Sequence, residues 1–180
     1  MATHHGTSRS EEKELVTALF RSREDTERAY WSLRDKGYSD REINIMMSDL
    51  TRDKYYRDNT EIGSKALEGA GVGGAIGGAI GAIVGGIAAI GTALTIPGLG
   101  LVVAGPIAAA LAGAGAGGAT GGLIGTLIGW GIPEERAKHY EAGIREGGTV
   151  VGVRPRSRED ADYFENEWRR PDYRAEHVYR

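Results

Sequence analysis

The chain has no cysteine, which excludes disulfides, thiolate metal sites and cysteine nucleophiles. Charge is absent from a long internal stretch. Between Glu68 and Glu134 lie 65 residues without Asp, Glu, Lys, Arg or His. No long basic block appears anywhere, and a formal net charge of −3 gives no reason to expect a nucleic-acid partner. Met1 to Ser10 is polar and lacks the apolar core of a secretory signal. His4 and His5 lie in that Gly/Ser/Thr-rich tail, where they read as solvated residues rather than metal ligands.

What the chain has in excess is glycine. Twenty-two of its 29 glycines fall in the uncharged stretch, mixed with Ala, Ile, Leu and Val. Gly69, Gly73, Gly77, Gly81 and Gly85 recur every four residues, and Gly113, Gly117, Gly121, Gly125 and Gly129 repeat the pattern. Spacing of four stacks residues on one helix face. Each glycine costs a helix about 1 kcal/mol against alanine, so ten of them imply a compensating close approach of backbones.

The ladders predict two helices, about 66–90 and 106–130, joined by a segment that turns at Pro97-Gly98. Each arm would be about 37 Å long, enough for a hydrocarbon layer of about 30 Å. Bulky residues such as Ile76, Ile80, Leu123 and Leu127 point elsewhere, as a lipid-facing hairpin requires. Bases on both flanks (Arg52, Lys54, Arg57, Lys65; Arg136, Lys138) and none in the connection place both termini in the cytoplasm. The low leucine content of the arms favours a different reading, a soluble cytoplasmic assembly with an internal apolar layer that holds lipid or another hydrophobic guest.

The charged residues on either side predict a small α+β domain. Residues 14–20 read as a strand, and Ser22 with Asp25 opens a helix that ends at Gly37. Residues 43–48 form a second strand, which a right-handed crossover sets parallel to the first. Residues 49–65 read as a linker or amphipathic lead. Pro133, Glu134 and Glu135 start a helix that stops at Gly147-Gly148, before a strand at 149–153. Ser157 to Arg169 forms an amphipathic helix with Tyr163, Phe164 and Trp168 as its docking side, and residues from Pro171 fray.

The expected division is therefore a tail (1–13), the first half of the domain with linker (14–65), the glycine-zipper hairpin (66–131), the second half (132–156) and a terminal helix and tail (157–180). A ferredoxin-like βαβ…αβ domain, helices on one face, is the nearest standard form.

The run ALFRSREDTERAYWSLRDKGYSDREINIMMSD, the glycine-zipper insertion and GIPEERAKHYEAGIREGGTVVGVR together resemble bacterial general-stress and heat-induced-stress protein domains. The resemblance spans residues 14–154. It implies a membrane-associated fold and a stress association, and it carries no catalytic residues.

No reaction is legible. Gly113-Ala114-Gly115-Ala116-Gly117-Gly118 matches GxGxxG but follows no strand, and no Walker loop is present. His139 and His177 have no spaced ligand partners, and Glu134, Glu135 and Glu141 complement a helix dipole. No charge inside the arms marks an ion path. The sequence predicts a non-enzymatic protein without cofactor or metal, whose partners are copies of itself and a lipid bilayer. Its functional residues are the ten ladder glycines.

Overall fold

The computed structural model describes residues 15–56, 94–96, 100–113, 122–129 and 131–180. They form an α+β fold around one antiparallel sheet in the order β3-β4-β2-β5-β1-β6. The strands are β1 (Val16–Phe20), β2 (Ile43–Ser48), β3 (Leu94–Ile96), β4 (Leu101–Ala104), β5 (Thr149–Val153) and β6 (Glu176–Tyr179). The helices are α1 (Arg23–Asp35), α2 (Asp49–Tyr56), α3 (Pro106–Gly113), α4 (Gly122–Gly129), α5 (Glu134–Arg145) and α6 (Arg158–Trp168).

β5 runs antiparallel between β1 and β2, pairing Ala18 with Val151 and Ile45 with Val151. β1 and β2 are therefore parallel to each other, as the crossover argument predicts, but they are not neighbours. Caps set the flanking helices. The Ser22 hydroxyl accepts from the Asp25 N–H, and the Ser157 hydroxyl accepts from the Asp160 N–H. α1 gives way to Gly37 at φ +81, a left-handed stop.

All five residues of β1 and of β5 are buried, so both sheet faces are covered. On one face Val16, Ala18, Phe20, Ile45 and Val153 pack against Leu33 of α1 and Phe164 and Trp168 of α6. On the other, Leu19, Met46, Val103 and Val150 pack against Ile107, Leu127, Tyr140 and Ile144 from α3, α4 and α5. This corrects the expectation of helices on one face. The uncharged stretch contributes α3 and α4 to the second layer, so the sheet needs no solvent face.

Four further readings change. The segment expected to join the two arms forms β3 and β4, and β4 pairs with β2 through Met46 and Val103. Residues past Pro171 do not fray: β6 pairs with the edge of β1 at Thr17 and Leu19. The start of the expected linker is α2, whose Thr51 N–H is capped by the Ser48 hydroxyl. Within the expected second arm lie two helices of eight residues each, and Gly122 at the start of α4 has φ +63, outside right-handed helical geometry. The tail 1–13, the first arm 66–90, Pro97-Gly98 and the remainder of the linker lie outside the described residues.

Candidate functional site

Besides the pairing of β4 with β2, the uncharged stretch is anchored to the charged body at the turn that follows β4. Gly105 follows β4 with φ +91, and a Cβ there would overlap the Ile43 carbonyl oxygen. Only glycine lets the backbone of this turn lie against β2. Beside it, Asn44 is 2% exposed and uses both ends of its amide. Its Oδ1 accepts from the Ile107 N–H at 3.0 Å, and its Nδ2 donates to the Gly152 carbonyl at 3.3 Å. The Ile107 N–H is one of the donors that an α-helix start leaves without an internal partner. Asn44 thus ties α3 to β2 and β5 at once.

α4 is apolar on every side, with the sequence GLIGTLIG. Leu123 and Leu127, one turn apart, point inward and are buried beside Ile107, Met46 and Val150. Its one polar side chain is satisfied internally, the Thr126 hydroxyl donating to the Gly122 carbonyl at 2.9 Å. Gly125 and Gly129 fall on the opposite side, two residues out of phase with the leucines. A Cβ at either would have no described atom within 4 Å. Ile128 stands next to them, 43% exposed. The outward face of α4 is therefore narrow, small and apolar.

The ladder residues are only partly placed. Gly125 and Gly129 share that outward face, and Gly113 is the last residue of α3. Gly69, Gly73, Gly77, Gly81, Gly85, Gly117 and Gly121 lie outside the described residues. Asn44 and Gly105 were not singled out from sequence. The signals were present in a polar residue between two isoleucines of a buried strand, and in a Gly-Pro pair opening a helix.

Elsewhere the polar groups answer one another. Glu134 pairs with Lys138 and Glu141 with Arg145, each one helical turn apart. The open cleft between the start of α1 and the 171–174 turn is lined by Ser22, Glu24, Asp25, Arg28, Asp172 and Arg174. Its central groups are already engaged: Asp25 accepts from the Ser22 hydroxyl and from Arg28, which also bonds the Asp172 carbonyl. Among the described residues no group of three or more His, Asp or Glu side chains could hold a metal ion. Burial raises the Tyr140 phenol far above its ordinary value, and burial with Asp40 does the same at Tyr30. Both phenols stay neutral near pH 7 and bond as hydroxyls. His139 and His177, which have no spaced ligand partners in the sequence, are stacked on each other at 4.6 Å between ring centres. No family model, curated protein or solved structure matches the chain.

Proposed function

We propose that this chain is a non-enzymatic assembly protein whose uncharged, glycine-laddered stretch joins copies of the chain to one another. The observation that carries the reading is the outward face of α4. Gly125 and Gly129 stand one turn apart beside exposed Ile128, on a body whose charged helices α1, α2, α5 and α6 carry ion pairs. Small residues in that register admit another helix at close range, and covering the apolar face removes it from water.

The course of the chain favours copies over a bilayer as the medium. Tyr56 ends α2 and Leu94 opens β3, and both elements belong to the body because β4 bridges β3 and β2. Of the residues between them only the 25 that follow Glu68 are free of charge, fewer than two crossings of about 20 residues require. One crossing would leave β3 across the membrane from β2.

A second reading keeps the notion of a glycine-zipper hairpin inserted in a bilayer, with both flanks cytoplasmic. It is favoured by the 65 consecutive uncharged residues, far beyond the minimum of a single crossing. A stress association, carried by the resemblance of residues 14–154, fits either reading.

Fractionation of cells expressing the chain, followed by carbonate extraction of the membranes, separates the two. A soluble species of high apparent mass supports assembly between copies. Retention in the extracted membrane pellet would replace it with the bilayer reading.

A further inference from the structure

We propose that the cleft between the start of α1 and the 171–174 turn binds a short peptide with both ends free. Its volume of about 540 Å³ falls within the range of small-ligand sites. One wall is built around Arg28. The Asp25 side chain, 8% exposed, accepts from the Arg28 Nη1–H at 2.9 Å, and the Asp172 carbonyl accepts from the same nitrogen. The guanidinium carbon also lies 5.9 Å from the Tyr173 ring centre. Three contacts thus fix the guanidinium, and both of its hydrogen bonds use Nη1. Its Nε–H and Nη2–H, the edge that grips a carboxylate through two parallel bonds, have no partner among the described residues.

Two more charges line the cleft and have no partner among the described residues: Glu24 from the first turn of α1 and Arg174 from the facing turn. The other carboxylates of the cleft are engaged, Asp25 by Ser22 and Arg28, and Asp172 by Arg170. The signs select the ligand. Arg28 and Arg174 call for a carboxylate. A phosphate would have to face Glu24 and Asp25 as well, and like charges repel. A ligand that brings a carboxylate to the arginines and an ammonium group to Glu24 answers all three open groups. Glu24 and Arg174 stand on different walls, so the ligand's charges must stand apart, as they do at the two ends of a peptide. The cleft is open to water, which sets the expected Kd at about 1 mM.

The test is isothermal titration calorimetry on the full chain with dialanine, N-acetyl-dialanine, dialanine amide and inorganic phosphate. Dialanine binds, and blocking either of its ends weakens binding at least tenfold. Glu24→Gln weakens dialanine at least tenfold and leaves N-acetyl-dialanine unchanged, because that ligand has no ammonium group to lose. Arg174→Gly also weakens dialanine at least tenfold. Arg174 sits at φ +46, a conformation glycine adopts without strain, so this variant keeps or raises the urea midpoint of the chain. No binding of dialanine, or equal binding by the Glu24→Gln variant, overturns the proposal. Phosphate bound more tightly than dialanine makes the cleft an anion site and likewise overturns it.

Discussion

Gly105 and Asn44 occupy a few cubic ångströms, yet they fix where an uncharged stretch of sequence joins a charged one. Gly105→Ala would force a left-handed backbone on alanine and drive its methyl into the Ile43 carbonyl, which belongs to a central strand and cannot yield. The expected loss is about 3 kcal/mol or more in urea denaturation. Asn44→Leu leaves the Ile107 N–H and the Gly152 carbonyl without their side-chain partner and is expected to cost about 1–3 kcal/mol. A third residue makes stability depend on alkaline pH. Burial, and then the hydrogen bond given to Asp160, push the Tyr38 phenol up to about 12. An unfolded tyrosine ionises near pH 10. Between those values the folded chain keeps a proton that the unfolded chain has lost, so its stability falls as pH rises through that window. Urea midpoints at pH 9 and pH 11 should show the drop, and Tyr38→Phe should shrink it.

At the level of elements, local signals decided what could be read from sequence. α1 announces itself through Ser22 with Asp25, a cap the structure makes, and α6 through the amphipathic spacing of Tyr163, Phe164 and Trp168. β2 and β5 fall on the apolar runs INIMMS and TVVGV, bounded by polar residues or glycines. What stayed hidden depends on partners distant in the chain. LTIPGLGLVVA carries no period that separates a strand pair from a loop between helices, and only pairing with β2 makes it sheet. EHVY is short and polar, and it becomes a strand because β1 presents a free edge. The histidine pair was invisible for the same reason, since without β6 the two rings have no common location. That Gly125 and Gly129 share one helix face was written in their spacing, but the direction of that face was not: Leu123 and Leu127, expected to face lipid, pack into the body and leave the glycines outward. One side chain shows how the distant elements are joined. The Tyr140 hydroxyl lies 2.6 Å from the Thr17 hydroxyl and 3.0 Å from the His177 carbonyl, linking α5 to β1 and β6. Tyr140→Phe is expected to cost about 1–2 kcal/mol and to raise exchange in β6 before the central strands.

For the molecule as a whole, two materials are divided by role. The charged segments supply four strands and the helices of one sheet face, and many of their ion pairs, such as Arg156 with Glu42, are exposed and worth at most about 1 kcal/mol each. They contribute little to holding the body together. The uncharged stretch adds α3 and α4 to one layer and leaves a glycine-lined apolar face outward. Association through such a face follows apolar burial, so raising sodium sulfate should strengthen it, whereas contact through the charged surface would weaken with salt. Sedimentation velocity on the purified full chain in detergent-free buffer tests this most directly, comparing it with a Gly125→Leu/Gly129→Leu variant and with Ile80→Leu. An oligomer is expected for the unaltered chain and for Ile80→Leu, and a folded monomer for the double variant. A monomer at every concentration, or an oligomer untouched by the double substitution, would contradict it.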